Sequence, residues 1–231
     1  DVILEIFEIS KKQGIRSVDK ICHRMELGKD TYTLGKIRPE MEEELCRVLA
    51  DFVRIMEGYR VDDYRATASS AISEASNSLY VLGKIHQLTG LSVTVLSNSE
   101  QRFLSYKALA AMEDNFNKII EKGTAILDLD GGSFQISLFD KDALVTTQNI
   151  RMGSLRIRER LAGIQSETEH YEEMVEELIW NEVSSFKKMY LKDRKIENIM
   201  LIGDVFTDSV YQNIEEKTTK IISRENFNTW Y

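Results

Sequence analysis

The chain has 231 residues, a formal net charge of −8 and 42% hydrophobic residues, values ordinary for one large or two small globular domains. The acidic balance argues against general binding of nucleic acid or of anionic membrane surfaces. No apolar run reaches the length that spans a membrane. We therefore expect a cytoplasmic protein with no nucleic-acid or membrane partner.

The first half of the chain predicts a strand hairpin followed by helices and short strands. The predicted strands, each apolar or β-branched, are Val2–Ser10, Ile15–Leu27, Tyr64–Ala68 and Leu91–Leu96. A loop is predicted over Gly28–Asp30. Helices are predicted from Pro39, Ser78 and Glu100, and each is expected to end at a glycine, namely Gly58, Gly90 and Gly123.

Helical spacing of apolar residues predicts which faces are buried. In the helix from Pro39 the inward residues are Met41, Leu45, Val48, Leu49, Phe52 and Met56. In the helix from Glu100 they are Leu104, Leu109, Met112, Phe116 and Ile120. Cys22 and Cys46 each lie in an apolar periodic segment and are expected to be reduced core residues, which suits the cytoplasm.

The second half predicts a similar plan. Strands are predicted over Thr124–Leu129, Phe134–Phe139, Ala143–Gln148 and Ile199–Ile202. Helices are predicted over Leu155–Leu161 and His170–Leu191, and a further helix from Phe206. Val175, Ile179, Val183, Phe186 and Tyr190 share one face of the longer helix.

The stretch around Asp128–Ser133 is the strongest chemical signal in the chain. It predicts a strand, a tight turn at Gly131 and Gly132, and a returning strand with one buried face. Such a turn can aim successive backbone N–H groups at an anion such as phosphate, and Asp128 at its mouth could hold an accompanying metal ion. A plain β-hairpin with a Gly-Gly turn explains the same residues.

The two halves can be overlaid. With Phe134 placed on Val2, Phe134–Asp140 lies over Val2–Glu8, and each segment is followed by a lysine-containing turn and a further strand. Arg151-Met152 then corresponds to Arg24-Met25. The repeat predicts two subdomains, 1–123 and 124–231. Because Ser133 falls on Asp1, we expect the first subdomain to lack its opening strand and phosphate turn, and the second to be incomplete at its C-terminal end.

Three segments resemble motifs of the exopolyphosphatase/guanosine pentaphosphate phosphohydrolase (Ppx/GppA) family of the actin-like ATPase superfamily. Ala68–Asn77 resembles A-T-S-A-L-R-E-A-x-N, and Val95–Glu100 resembles V-I-S-G-x-E. Asp128–Gln135 resembles D-I-G-G-G-S-T-E. Their order and spacing match the family, and the resemblance covers nearly the whole chain.

The resemblance implies an α/β fold of two RNase H-like subdomains, with mixed sheets flanked by helices and a cleft between them. It implies a bacterial enzyme that hydrolyses polyphosphate or guanosine polyphosphate with Mg²⁺, and a homodimer as an assembly to test. Glu100 falls on the water-activating glutamate, and Asp128 on the acidic residue near the metal. Gly131, Gly132 and Ser133 fall on the phosphate-binding turn. Ser97-x-x-Glu100 is also a capping box, and the two roles are compatible.

Several positions depart from the family pattern. Asp130 replaces the first glycine of the turn, Gln135 replaces the loop glutamate, and Ser73 replaces the arginine of the first motif. Phe134 replaces a threonine. Arg102 follows Glu100 closely and could offset some of the lost positive charge.

These departures keep a second hypothesis open: a catalytically impaired family member that binds polyphosphate or guanosine polyphosphate as a regulatory module. A third is a domain that binds a different anion or none and serves assembly. A sugar or glycerol kinase of the same superfamily ranks lower, because Leu201–Asp204 is only a weak counterpart of an adenosine-binding loop.

Overall fold

The computed structural model describes residues 1–12, 14–112, 115–163, 170–192 and 194–203. The chain packs as two compact units. The first contains Asp1–Gln101 and the described residues from Leu155 to 163, and the second contains Arg102–Ser154 and the described residues from 170 onward. The boundary that the repeat places after residue 123 stays a prediction.

The first unit contains two short sheets and several helices. Its elements are β1 (Val2–Ser10), β2 (Gly14–His23), α1 (Leu27–Leu34), α2 (Pro39–Tyr59), β3 (Ala66–Ala68), α3 (Ser70–Ser73), α4 (Ser78–Thr89) and β4 (Val93–Val95). Strands β1 and β2 pair antiparallel, and β3 and β4 pair parallel. The predicted strands of this half are present, although the strand predicted over Ile15–Leu27 ends at His23. The helices from Pro39 and Ser78 are confirmed, but the single helix predicted from Glu100 is wrong, because that segment forms two helices, Asn98–Met112 and Phe116–Glu121.

Helix α2 supplies much of the core of the first unit. Pro39 opens it, as predicted, because the first helical residue needs no N–H partner. Leu45, Val48 and Phe52 are buried, and each contributes about 1.5–3 kcal/mol by leaving water. The helix continues past Gly58 to Tyr59 and is capped by Arg60, which has a left-handed backbone (φ 54°) and whose N–H donates to Glu57 O at 3.0 Å.

The loop predicted over Gly28–Asp30 is wrong, because these residues lie in α1. A Cβ on Gly28 would lie 2.6 Å from Tyr32 Cε2 and 2.9 Å from Leu155 Cδ2, so this glycine serves close packing and not a turn. Asp30 is buried, and its carboxylate accepts hydrogen bonds from Arg38 N and Nε, each at 3.0 Å. Leu155 is far from Gly28 in the sequence, so the local pattern did not show this contact.

The second unit is built on one four-stranded sheet. Its elements are the larger part of α5 (Asn98–Met112), α6 (Phe116–Glu121), β5 (Thr124–Leu129), β6 (Phe134–Asp140), β7 (Ala143–Ile150), α8 (Tyr171–Tyr190) and β8 (Asn198–Ile202). Helix α7 (Ser154–Leu161) begins at its boundary. The strand order is β7-β6-β5-β8, with β8 parallel to β5 and the other pairs antiparallel. The predicted strands are confirmed.

Two apolar clusters cover the two faces of this sheet. On one face, Ile126 and Phe139 pack against Phe116 and Ile120 of α6 and against Leu109 of α5. On the other face, Ile136, Leu138 and Ile150 pack with Phe186, Val183 and Tyr190 of α8.

Three burial predictions do not hold as made. Leu104 is 42% exposed and Cys22 is exposed, so the prediction that both lie inward is wrong. Cys46 is buried, as predicted, and both thiols are free. On α8, Ile179 is 37% exposed, so the predicted apolar face holds only toward the C-terminal end. The side chain of Met112 and the helix from Phe206 lie outside the described residues.

The two hairpins share details at the positions that the overlay matches. The β1–β2 ladder shifts register between Ile6 and Phe7, and the β6–β7 ladder shifts between Leu138 and Phe139. The overlay of Phe134 on Val2 places these two irregularities on each other. Each hairpin is also followed by an eight-residue helix, α1 or α7, that begins three residues after the matched arginine. The repeat is thus supported by backbone detail.

Within the described ranges, no helix is both long and apolar enough to cross a membrane.

Candidate functional site: the turn between two strands and the polar sheet face beside it

The turn between β5 and β6 has the tight geometry that the sequence predicts. Leu129 and Phe134 are paired across the two strands, and Asp130 N donates to Ser133 O at 3.0 Å. Ser154 N, from the start of α7, donates to Asp130 O at 3.2 Å. Gly132 and Ser133 are buried. The turn is therefore held by hydrogen bonds from both sides.

Two glycines outside the turn make room for its backbone. A Cβ on Gly153 would lie 2.3 Å from Asp130 O, 2.4 Å from Gly131 C and 2.4 Å from Ser133 N. A Cβ on Gly203 would lie 2.1 Å from Leu129 O, and Gly203 also has a φ of +129° that side chains rarely adopt. Both positions require glycine because another backbone segment passes against them.

The Asp130 side chain accepts a hydrogen bond from one of the backbone N–H groups that the sequence analysis predicts to bind phosphate. The Gly131 N–H donates to Asp130 Oδ1 at 2.6 Å. An anion that approached this N–H would meet the carboxylate first. Binding of phosphate by Gly131, Gly132 and Ser133 stays a prediction.

A row of polar residues crosses three strands beside the turn. Asp128 of β5 is paired with Gln135 of β6, which is paired with Asn149 of β7. Residues paired directly across antiparallel strands point to the same face of the sheet. Gln135 is only 4% exposed. Within the described part of the chain, Gln135 Oε1 and Asn149 Oδ1 are buried and accept no hydrogen bond.

Helix α5 covers this polar face with polar side chains of its own. Ser105 Oγ donates to Asp128 Oδ2 at 3.4 Å, and the Tyr106 hydroxyl donates to Ser137 Oγ. Arg102 Nη1 donates to Thr147 Oγ1 at 2.8 Å. Arg102 is thereby placed over the same sheet face, where its charge lies among neutral and acidic groups.

The residues beside the turn fit a hard divalent cation. Such ions prefer oxygen ligands, and Mg²⁺ is often held by one or two carboxylates together with substrate phosphates. Asp128 offers a carboxylate, and Gln135 Oε1 is a buried oxygen without a described donor. Among the residues that the structure describes, no three His, Cys, Asp or Glu side chains come together as a metal cluster.

Glu100 forms the capping box that its spacing predicts. Ser97 N and Ser97 Oγ donate to Glu100 Oε2 at 2.9 and 2.7 Å, and Glu100 N donates to Ser97 Oγ at 3.2 Å. The bonds from the Ser97 backbone and hydroxyl lower the pKa of Glu100 below its ordinary value. Glu100 belongs to the first unit, and its role as a base stays a prediction.

The two motifs of the first unit follow neighbouring parallel strands. Ser69-Ser70 follows β3, Ser97–Glu100 follows β4, and Leu96 N donates to Ala68 O at 2.9 Å. Ligands in α/β folds commonly bind beyond the carboxyl ends of parallel strands. Ser70 Oγ is 3.0 Å from the Tyr32 hydroxyl, and Ser73, at the family's arginine position, is exposed.

An arginine from α7 reaches this first-unit motif. Arg156 pairs with Glu74 at 2.9 Å, and its guanidinium carbon lies 4.0 Å from the centre of the Tyr32 ring. Asn77, the last residue of the motif, has a structural role. Its side chain bonds the backbone N and O of Ile37 at 3.0 and 2.8 Å and donates to Glu42 at 2.9 Å.

Sequence reasoning missed Asn149, Gly153, Gly203 and Arg156. Asn149 lies one residue beyond the strand predicted over Ala143–Gln148, so the sequence pattern assigns it no place in the sheet. Gly153 and Gly203 each follow a strand, where a glycine commonly marks an ordinary turn. Gly153 and Gly203 are required because distant backbone segments pass close to them, and a local sequence pattern does not record such contacts.

The chain has the fold of solved Ppx/GppA phosphatases and exopolyphosphatases, which is the actin-like ATPase fold. An exopolyphosphatase from Cytophaga hutchinsonii matches with a TM-score of 0.77 at 19% identity, covering 98% of this chain and 74% of the other. A Ppx/GppA family member from Aquifex aeolicus matches with a TM-score of 0.72 at 20% identity, covering 99% and 73%.

The model of the Ppx/GppA phosphatase family matches residues 5–231, and the chain belongs to this family. A bifunctional 3-dehydroquinate synthase/phosphatase from Fusobacterium nucleatum is 21% identical over 87% of the chain. Exopolyphosphatase 1 from Mycobacterium leprae is 29% identical over 46% of the chain. The chain spans 30% of the length of each of these two relatives.

Proposed function

We propose that the chain hydrolyses a phosphoanhydride bond of polyphosphate or guanosine polyphosphate by metal-assisted attack of water. The observation that carries this proposal is the turn between β5 and β6, with Asp128 and the buried Gln135 Oε1 beside it. The names of the family and of the Mycobacterium leprae relative support the choice of reaction and substrate.

Each predicted residue has a defined task in this reaction. Backbone N–H groups of the turn at Gly131, Gly132 and Ser133 would stabilise the oxygens of the transferred phosphoryl group. Asp128 and Gln135 would hold Mg²⁺, which neutralises phosphate charge when bound. Glu100 would accept the proton of the attacking water.

The capping box sets the basicity of Glu100. The Ser97 bonds lower the pKa of its carboxyl, so the group is ionised at neutral pH and ready to accept a proton. A lowered pKa also makes it a weak base, since general-base catalysis is most effective when the pKa lies near the working pH. We therefore expect Glu100 to orient the water as well as accept its proton.

A second candidate function is binding of the same ligands without turnover. It is favoured by the bond from Gly131 N to Asp130 Oδ1, which places a carboxylate against the turn. Gln135 in place of glutamate and Ser73 in place of arginine point the same way. Under this proposal the chain is a polyphosphate-binding or regulatory module.

The test compares phosphate release from polyphosphate, with Mg²⁺ present, by the unaltered chain and by Glu100→Gln. Glutamine preserves the capping box, so the helix start should be retained. Glu40→Gln, in the first turn of α2, is the matched control for loss of a surface carboxylate. Loss of turnover only in Glu100→Gln supports the base. Equal rates for all three proteins would remove Glu100 from the mechanism.

Calorimetry with polyphosphate and guanosine tetraphosphate separates the two candidate functions. Binding with turnover supports the hydrolase, and binding without turnover supports the regulatory module. No binding of either ligand contradicts both. The cytoplasmic location, the bacterial source and the homodimer stay predictions.

A further inference from the structure

The row of polar residues beside the turn contains one oxygen that no motif assigns. Asp128, Gln135 and Asn149 are directly paired across β5, β6 and β7 and share one face of the sheet. Asp128 lies two residues before Asp130, and Gln135 lies two residues after Ser133. The row therefore borders the turn on the strands that enter and leave it.

Two oxygens of this row are buried without a described donor. They are Gln135 Oε1 and Asn149 Oδ1. Buried carbonyl oxygens nearly always accept a hydrogen bond or bind an ion, because removing a polar oxygen from water without giving it a new partner is costly. Two such oxygens on adjacent, directly paired positions point to one shared partner.

Three side chains of α5 that face this sheet donate to acceptors other than the two buried amide oxygens. Ser105 donates to Asp128, Tyr106 donates to Ser137, and Arg102 donates to Thr147. The row itself joins one carboxylate to two amide oxygens. A shared partner for this set has to be positive or to donate twice.

We infer that Asp128, Gln135 and Asn149 form one set of oxygen ligands for a hard divalent cation, with Asn149 as the additional ligand. The inference rests on the proposed metal at Asp128 and extends it to a residue of β7. Mg²⁺ takes few protein oxygens and completes its coordination with water and phosphate oxygens, which suits a row beside a phosphate turn. Because two of the three ligands are neutral amides, affinity in the absence of phosphate is weak.

Manganese binding tests the inference without using activity. The loss of the free Mn²⁺ electron paramagnetic resonance signal reports binding to the full chain, and competition with Mg²⁺ reports the same site. Asn149→Leu removes the oxygen at similar volume and should weaken Mn²⁺ binding by about tenfold or more, as losses around metal sites usually do. Asn149→Asp adds a charge and should tighten it.

Gln148→Leu is the matched control. Gln148 is the neighbouring residue on β7, and its Oε1 is also buried without a described donor, but it is paired with Ile136 and faces the other side of the sheet. Its replacement should leave Mn²⁺ affinity unchanged. Thermal unfolding of each variant identifies any that fails to fold. If Asn149→Leu fails to fold, Asn149→Asp tests the inference on its own, because it should tighten Mn²⁺ binding and misfolding would not.

The outcomes separate this inference from the proposed function. If Asn149→Leu and Asn149→Asp both bind Mn²⁺ like the unaltered chain, the two oxygens bond a water or each other's amide, and the inference is overturned. It is overturned equally if the unaltered chain binds no Mn²⁺. If phosphate release requires Mg²⁺ but is the same in the Asn149 variants as in the unaltered chain, the proposed hydrolase function is retained and Asn149 is rejected as a metal ligand. Asn149-dependent Mn²⁺ binding without phosphate release would do the reverse.

Discussion

The Asp130 carboxylate accepts a hydrogen bond from the N–H of Gly131 at 2.6 Å, inside the turn between β5 and β6. The side chain thus places a negative charge against a group that otherwise attracts one. Replacing this residue tests whether the turn retains its capacity to bind an anion.

Asp130→Gly should tighten the binding of polyphosphate. The substitution frees the Gly131 N–H and removes a like charge, and one hydrogen bond to a charged acceptor is worth about 1.5–3 kcal/mol, or about tenfold or more in affinity. Calorimetry at low ionic strength measures the change. Asp142→Gly in the turn after β6 is the control, since it removes one carboxylate at a residue with φ of 60°, where glycine fits. Equal gains in both variants would assign the effect to net charge alone.

Gly153→Ala should destabilise the chain and weaken any ligand binding at the turn. The new Cβ would lie within 2.4 Å of Gly131 C and Ser133 N, which are backbone atoms that must shift. Overpacking of this kind typically costs about 1–3 kcal/mol. Urea unfolding of the variant and of the unaltered chain would measure the difference.

Gly83→Ala provides the comparison for Gly153→Ala. Gly83 lies inside α4, and a Cβ there meets nothing within 4 Å. Alanine should stabilise this helix by about 0.5–1 kcal/mol, because glycine is the poorer helix former. A Gly153→Ala protein as stable as the unaltered chain would show that the turn has room to move.

The sequence predicts a structural feature well when the residues that determine it are close together along the chain. The alternation in Phe134–Phe139 and the helical spacing after Pro39 are local signals, and the elements they predict are confirmed. Gly28 carried the same local turn signal as Gly131, yet it packs against Tyr32 inside a helix. Leu155, which is far away in the sequence, also packs on Gly28, and the local sequence does not record that contact.

The candidate site was predictable only in part for the same reason. Asp128 and the glycine turn are contiguous in the sequence, so the local motif identifies them. Asn149 and Gly153 reach the turn through strand pairing and chain crossing, which a single sequence does not record. The overlay of the two hairpins was an exception, because it predicted correspondence between segments that lie far apart.

Ser97→Ala should lower stability and change its pH dependence. The Ser97 bonds hold the pKa of Glu100 below the ordinary value of 4.5, so the folded pKa lies below the unfolded one. This stabilisation is therefore complete above pH 4.5 and is lost as the pH falls through the folded pKa. Ser97→Ala should cost about 0.5–2 kcal/mol at neutral pH, and the deficit should shrink in acid.

Urea unfolding at pH 7 and at pH 3 checks this prediction. Glu100→Gln serves as its partner, because glutamine keeps the cap but cannot ionise. The difference between Ser97→Ala and the unaltered chain should depend on pH, whereas the same difference measured in the Glu100→Gln background should be nearly constant. A deficit independent of pH in both backgrounds would show that Ser97 acts on the backbone alone.

Asn77→Asp should destabilise the first unit in a manner that depends on pH. The Asn77 amide nitrogen donates to Ile37 O and to Glu42 Oε1, and Glu42 is only 3% exposed. Aspartate keeps the oxygen that accepts from Ile37 N but turns the donor into a second carboxylate oxygen. Repulsion and a lost donor should cost about 1–3 kcal/mol at neutral pH, and protonation of the introduced carboxyl should recover part of it in acid.

A double-mutant cycle with Glu42→Gln identifies the partner that matters. The glutamine amide can donate to the introduced aspartate, so the double variant should regain much of the stability lost in Asn77→Asp. Lys84 bonds Glu42 from the other side at 3.3 Å and is present in every arm of the cycle. Additive costs in the cycle would mean that Asn77 acts through Ile37 alone. Coupling would establish the last residue of the Ala68–Asn77 motif as a structural link between α2 and the start of α4.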